Sequence, residues 1–152
     1  LAGDGARVWA DARGHPKAAV EGRPTKYKSG DTVGVIARDS TGSLACATSP
    51  AVTRHRPAGR VGDVPLPGSG FSTQGDLAVA ATGVGAEITK SLLSYRIYER
   101  IRSTGDSLDV AMRWGIDELI DEGISVGLIS LGSDGEGRGH SNTDMPWAAW
   151  TG

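Results

Sequence analysis

The sequence predicts an α+β or layered α/β fold, with helices packed on a mainly antiparallel sheet. Three observations carry that expectation. Two β-rich runs, Thr32–Asp39 and Ser43–Ser49, flank a short turn that contains Gly42, the pattern of a β-hairpin. A third apolar run, Leu77–Thr82, leads into two successive stretches with helical spacing of apolar residues. A fourth run, Ile124–Leu131, follows them and ends in a glycine-rich turn.

The elements follow in order. Gly5–Arg13 reads as a short helix stopped by Gly14. His15–Gly30 has no periodicity and reads as a linker or exposed loop. Valines and isoleucine run almost continuously through Thr32–Asp39, which predicts a strand buried on both faces. Pro50–Gly70 is a long loop rich in Arg, Pro and Gly, of the kind that is functional or mobile. Leu77–Thr82 is a strand. Ala86–Thr104 reads as one helix, with Ile88, Leu92 and Tyr95 on a stripe flanked by Leu93, Ile97 and Ile101. Gly105 fits its stop, and Asp106 the N-cap of a second helix carrying Leu108, Met112, Ile116, Leu119 and Ile120 up to Gly123. Ile124–Leu131 is a strand, Gly132–Gly139 a turn, and a short final strand follows. Trp9, Trp114, Trp147 and Trp150 read as packing residues, and Arg54, His55 and Arg56 as a solvated loop.

Composition narrows the function classes. At 152 residues the chain fits one domain and can bury a core without staples. It is 38% hydrophobic and 22% charged, which fits a globular chain rather than a disordered one. The net charge of −2 gives no footprint for nucleic acid or an anionic membrane. One cysteine, Cys46, excludes an intramolecular disulfide, a Cys-based zinc site and a CxxC motif. No apolar stretch is long enough to span a bilayer, and Leu1–Gly5 lacks the regions of a secretory leader. The expectation is a soluble protein, the cytoplasm favoured, without metal or cofactor. The 23 glycines keep no fixed period, so they point to tight turns or to close approach of backbone and ligand.

Three segments could carry chemistry. Thr32 follows Asp31 in Ser29–Gly34 (SGDTVG). Its ordinary reading is a strand-start threonine. Its reactive reading is a nucleophile exposed by cleavage between Asp31 and Thr32. The freed α-amine, with a pKa near 7.7–8.0, would accept the hydroxyl proton, so no histidine is required. His15, His55 and His140 form no triad spacing with a serine and an aspartate. In Gly59–Asp63 (GRVGD), Arg60 and Asp63 are either a salt-bridged turn or a grip on a carboxylate and an amine. In Ala81–Gly85 (ATGVG), Thr82 and Gly83 are either a tight turn or an oxyanion hole at a strand end. Neither this segment nor Gly68–Gly70 has the lysine of a phosphate-binding loop. Gly132–Gly137 lacks the spacing of a calcium loop.

Taken in order, GDTVGVIARDSTGSLACATS, GRVGDVPLPGSG, AVAATGVGAE and HSNTDMPWA resemble the β-subunit of the N-terminal-nucleophile amidohydrolases, the glycosylasparaginase, isoaspartyl peptidase and plant-type asparaginase family. The resemblance covers Asp31–Trp150. It implies an αββα sandwich with antiparallel sheets between helices, an inactive precursor, self-cleavage before the threonine, and hydrolysis of β-aspartyl amide bonds. By the resemblance, residues 1–31 match the end of an α-half and its linker, and 32–152 the catalytic β-subunit, folded as one domain with the preceding segment. Thr32 is then the nucleophile. Arg60 and Asp63 hold the α-carboxylate and α-amine of a small β-aspartyl substrate, and Thr82 and Gly83 form the oxyanion hole. Asp31 before the scissile bond is like the glycosylasparaginase branch.

Two departures stand out. The family stretch T-S-T-[NG]-G reads Thr48-Ser49-Pro50-Ala51-Val52 here, so Pro50 replaces a supporting threonine. Thr48 or Thr53 is the possible stand-in. The segment before Thr32 matches only the end of an α-half, which implies association with the missing part or self-association into a homo-oligomer. The alternative reading is a non-catalytic or uncleaved short form acting as an amino-acid-binding or assembly module.

Overall fold

The computed structural model describes residues 3–15, 32–50 and 60–151. The elements in chain order are α1 (Gly3–Asp11), β1 (Val33–Arg38), β2 (Leu44–Ser49), β3 (Phe71–Gln74), β4 (Leu77–Gly83), α2 (Gly85–Ser91), α3 (Leu93–Thr104), α4 (Leu108–Leu119), β5 (Val126–Leu131) and β6 (Gly137–Ser141). The fold is α+β, with antiparallel sheets and helices in layers.

The predicted hairpin forms. β1 and β2 pair antiparallel from Val33↔Ser49 to Arg38↔Leu44. Asp39 closes the turn: its carboxylate accepts from the Thr41 hydroxyl at 2.7 Å and from the backbone N–H of Thr41 and Ser43 at 2.9 Å each. The Thr41 hydrogen bond is the main cause that holds the Asp39 carboxyl below its ordinary pKa.

The second sheet has the order β3-β4-β5-β6, all antiparallel. β3 lies outside the sequence expectation. FSTQ has little strand character, and it becomes a strand through its register with β4, Phe71↔Ala80 to Gln74↔Leu77. Alternation gives this sheet two faces. Leu77, Val79 and Ala81 of β4, with Val126 and Leu128 of β5, turn to the helices and pack with Ile88, Leu93, Ile97, Ala111, Met112 and Ile116. The opposite face meets the hairpin: a Cβ at Gly34 would stand 3.4 Å from Ala80 Cβ and 3.5 Å from Ile129 Cδ1. The layers therefore run helices, four-stranded sheet, hairpin. Beside the hairpin, on the same face, the chain after β6 runs over the sheet. Met145, Trp147 and Ala149 sit against Gly127, Gly139 and Gly137, where side chains would collide with them. Trp147 is thus a packing residue, whereas Trp150 is almost fully exposed.

Several expectations need correction. β1 is not buried on both faces. Gly34 and Ile36 turn inward, while Val33 is 63% and Val35 57% exposed, because only one face of the hairpin meets the other sheet. The stretch Ala86–Thr104 is two helices, not one. Leu92 adopts the left-handed region (φ 48°) between α2 and α3. Two contacts from the preceding turn fix that break: the Tyr95 N–H donates to the Gly68 carbonyl at 2.9 Å, and the Ser94 hydroxyl to the Ser69 carbonyl at 2.6 Å. The break rotates α3, so Leu93 and Ile97 enter the core and Leu92 faces solvent. Ser107, not Asp106, caps α4, accepting from the Val110 N–H. Asp106 instead pairs with Arg100 Nε at 2.6 Å. Gly14 and Gly105 end α1 and α3 at positive φ, as expected. Among the described residues no helix is long and apolar enough to cross a membrane.

Candidate active site

Thr32 sits immediately before β1 and is half-buried. Alternation places it on the same side as Gly34, the side turned to the four-stranded sheet. Asp31 and Thr53 lie outside the described residues. Continuing the β1–β2 register one step beyond Val33↔Ser49 puts Pro50 across from Thr32. The Asp39 N–H donates to the Ser43 carbonyl, so by alternation Val33↔Ser49 is a hydrogen-bonded pair and the Thr32–Pro50 position is not; the N–H that Pro50 lacks would point away from Thr32.

Thr48 lies across from Gly34 rather than across from Thr32. Its hydroxyl donates to the Val64 carbonyl at 3.0 Å and so ties the hairpin to the turn that carries Asp63. That turn is folded tightly. The Asp63 carbonyl accepts from Leu66 N at 2.9 Å and Gly70 N at 3.1 Å, and a Cβ at Gly70 would stand 2.5 Å from the same oxygen. Ser69 Oγ donates to Thr89 Oγ1 of α2 at 3.1 Å. With the Ser94 and Tyr95 bonds to Ser69 and Gly68, the turn is fastened to both α2 and α3.

Asp63 is 6% exposed, whereas Arg60 is exposed, so one turn carries a deep carboxylate and a guanidinium at the surface. The Asp63 carboxylate oxygen Oδ1 rests against Gly85, the first residue of α2, where any side chain would collide with it.

Thr82 and Gly83 end β4, paired with Gly127 and Val126. Thr82 is half-buried and shares with Ala80 the face turned to the hairpin. Gly83 has φ 142°, and a Cβ there would collide with the Ser125 carbonyl and stand 2.9 Å from Val126 Cα. Only glycine meets both demands, the backbone angle and the close approach. The Val84 N–H donates to the same Ser125 carbonyl at 3.2 Å.

The structure thus brings Thr32, Thr48 and Thr82 onto the facing surfaces of two sheets and ties Asp63 to that interface through Val64. It leaves Arg60 at the surface. Three residues that sequence reasoning did not single out belong to this region. Gly85 makes room for the Asp63 carboxylate, Ser125 backs Gly83, and Asn142 brackets Ser125 on both sides. Gly85 and Asn142 stood inside the ATGVG and HSNTDMPWA segments, so the signal was present without a role.

Cys46 faces inward, and burial pushes its thiol pKa up, which makes it a poor nucleophile. A cavity of about 520 Å³ at the connection between α4 and β5 is lined by Ile116, Ile120, Asp121, Ser125 and Asn142 among others. Neither Thr32, Thr82 nor Asp63 lines it. Among the described residues no group of three or more His, Cys, Asp or Glu side chains is placed to hold a metal ion.

The family model described as Asparaginase matches residues 5–152. The isoaspartyl peptidase of Salmonella typhimurium is 36% identical over 121 residues, which is 78% of this chain and 39% of that protein. The isoaspartyl peptidase/L-asparaginase of Bos taurus is 35% identical over 130 residues, 84% of this chain and 42% of that protein. The plant-type L-asparaginase of Pyrobaculum calidifontis is 48% identical over 77 residues, 50% of this chain and 26% of that protein. The chain spans about two-fifths of the length of the first and second of these relatives and about a quarter of the third.

Proposed function

Because the chain belongs to the asparaginase family, we propose that it is the nucleophile-bearing part of an amidohydrolase that cleaves β-aspartyl amide bonds. The observation that carries this reading is that Thr48 and Thr82, and by alternation Thr32, lie on the facing sides of the two sheets, with the Thr48 hydroxyl tied through the Val64 carbonyl to the turn of the buried Asp63.

The reaction has two stages. The Thr32 hydroxyl first attacks the Asp31 carbonyl, and the peptide bond passes to an ester. Water hydrolyses that ester, leaving Asp31 with a free carboxylate and Thr32 with a free α-amine. In the second stage that amine takes the hydroxyl proton as Thr32 Oγ attacks the side-chain carbonyl of the substrate. Thr82 and the Gly83 N–H stabilise the oxyanion. The C–N bond breaks, the ammonium returns its proton to the departing amine, and water hydrolyses the aspartyl ester. Arg60 pairs with the α-carboxylate of the substrate and Asp63 with its α-amine. The names of the relatives favour an isoaspartyl peptide or asparagine as substrate; the Asp31–Thr32 junction favours an N-glycosyl-asparagine.

The outward face of the hairpin, with Val33 and Val35, is the surface a fourth layer would cover, completing an αββα sandwich. We assign that layer to the α-half of the family, with pairing of copies as the alternative.

Intact mass, fresh and after incubation at neutral pH, tests the first stage. The expected result is division into residues 1–31 and 32–152, followed by hydrolysis of a β-aspartyl amide. Thr32→Ala removes both, lowering turnover by ~10⁵-fold; turnover retained by the pure variant overturns the reading. Pro50 across from Thr32, with the Thr48 hydroxyl engaged by Val64, favours one second reading, an uncleaved aspartate-binding form. Calorimetry on uncleaved protein separates the two: that form binds aspartate and never turns over.

A further inference from the structure

Gly83 can serve as an oxyanion donor only if its backbone is held still, and the residue that holds it comes from the far end of the chain. Gly83 lies against the Ser125 carbonyl, and the Val84 N–H donates to that carbonyl at 3.2 Å. Ser125 precedes β5 and its side chain is exposed, so little packing from its own side chain fixes the carbonyl direction. Asn142 supplies what packing does not. Its Nδ2 donates to the Ile124 carbonyl at 2.8 Å, and its Oδ1 accepts from the Val126 N–H at 2.8 Å. Its own backbone N–H donates to the Val126 carbonyl at 3.2 Å.

One amide side chain therefore grips the residue before Ser125 and the residue after it. An amide fits this task because it offers a donor and an acceptor in one plane, about 2.3 Å apart at the oxygen and nitrogen. Aspartate offers no donor, and alanine neither group. We propose that Asn142 is a positioning residue for the oxyanion hole, fixing the Ser125 carbonyl and through it the Gly83–Val84 backbone. This rests on the reading of Thr82 and Gly83 given above, and it concerns how that site is held rather than what it does.

The anchor is itself secured. Immediately beyond Asn142 the chain lays Met145 and Trp147 over Gly127 and Gly139. Side chains at those glycines would displace it, so the path of the chain after β6 is built into β5 and β6.

The test uses the full chain and compares Asn142→Asp and Asn142→Ala with Ser141→Ala, whose hydroxyl donates to the Thr143 carbonyl in the same segment. The readout is the backbone amide resonances of Gly83 and Val84 and the hydrogen exchange of the Val84 N–H. Both Asn142 variants are expected to shift both resonances and to speed Val84 exchange by about tenfold, the loss of one hydrogen bond. Ser141→Ala leaves them unchanged. Shifts confined to residues 124–126 overturn the proposal. So does unfolding of both Asn142 variants, because a residue required for the whole fold is not acting through Gly83.

Where the wild-type chain hydrolyses a β-aspartyl amide, Asn142→Asp lowers kcat by about tenfold with KM unchanged, since substrate grip lies with Arg60 and Asp63. Amide shifts in a chain without hydrolysis overturn the reaction reading and keep the coupling. Hydrolysis with Gly83 and Val84 indifferent to both variants overturns the coupling alone.

Discussion

The two sheets of this molecule live in different surroundings. β4 and β5 lie between helices on one side and the hairpin on the other; Ala78 through Ala81 are all buried, and Val126 and Leu128 are fully so. The hairpin has a neighbour on one side only, and its outer positions, Val33, Val35, Ala37, Ala45 and Ala47, meet solvent. The proposed nucleophile belongs to the hairpin, while its proposed oxyanion hole and Asp63 belong to the enclosed half and Arg60 stays at the surface. Labour is divided between the two halves. On the proposed reading, Asp63 and the Thr82–Gly83 strand end are built into the well-packed layers, and the threonine to be freed by cleavage stands at the margin of the loose one.

The largest expected effect is a contrast in stability between the two sheets. Leu128→Ala leaves a void between β5 and the helices, where Met112 and Ile116 pack, and is expected to cost about 3–4 kcal/mol. Val35→Thr, on the outer face of β1, is expected to change stability by less than about 0.5 kcal/mol. Urea unfolding of both variants checks this. Equal costs would break the comparison and mean that a partner, such as a second copy, covers the hairpin in solution.

How far this contrast was legible in the sequence depends on what decides each element. The hairpin was legible because its turn is local: Asp39, Thr41 and Gly42 close it with bonds spanning two to four residues. The stops at Gly14 and Gly105 were legible for the same reason. The break at Leu92 was not, because Gly68 and Ser69 impose it from a distant turn on a stretch with unbroken helical spacing. β3 was missed because partner register, not its own composition, makes FSTQ a strand. The exposure of Val33 and Val35 was missed because alternation in burial needs a second layer, and a run of β-branched residues does not say how many layers there are. The candidate site divides likewise. Asp63, Thr82 and Gly83 were recognisable as motif residues, but the need for glycine at 85 and the bonds of Asn142 to Ile124 and Val126 exist only in three dimensions.

A smaller effect concerns acid, and it too separates the halves. Asp109, in the first turn of α4, joins the helix layer to β6: its carboxylate accepts from Arg138 Nε at 2.9 Å and contacts His140 Nε2 at 3.0 Å. Arg138 also reaches Asp134 at 2.7 Å. The His140 hydrogen bond, and after it Arg138, hold the Asp109 carboxyl below its ordinary pKa. A depressed carboxylate contributes stability that is fully present above its unfolded value near 3.9 and is lost as pH falls through the folded value. Asp109 is about half exposed, so screening limits the expected cost of Asp109→Asn to about 0.5–1 kcal/mol at pH 7. Urea midpoints of wild type and variant should converge as pH falls through the lowered Asp109 value. Midpoints that stay apart at every acid pH would mean that the Asp109 carboxylate does not carry this pH dependence.

The smallest expected effect falls on the seam between the two regions, at Gly34. Its backbone lies where the hairpin crosses the four-stranded sheet, opposite Thr48 and above Ala80 and Ile129. A Cβ placed there would find Ala80 Cβ at 3.4 Å, Ile129 Cδ1 at 3.5 Å and Thr48 Cγ2 at 3.9 Å, all ordinary van der Waals distances. Gly34 is absent from the positive-φ glycines, so alanine suits its backbone. A methyl group added at an apolar contact contributes hydrophobic burial, and replacing glycine within a strand reduces the entropy lost on folding. Gly34→Ala is therefore expected to raise stability by about 0.5 kcal/mol. The sign is what matters. A gain means the two sheets touch at this point without strain and that Thr32, two residues earlier on the same face, is carried by a seam with room to spare. A loss of 1 kcal/mol or more would mean that the sheets close more tightly here, and that the loosely packed half ends at the outer face of the hairpin rather than reaching Thr32.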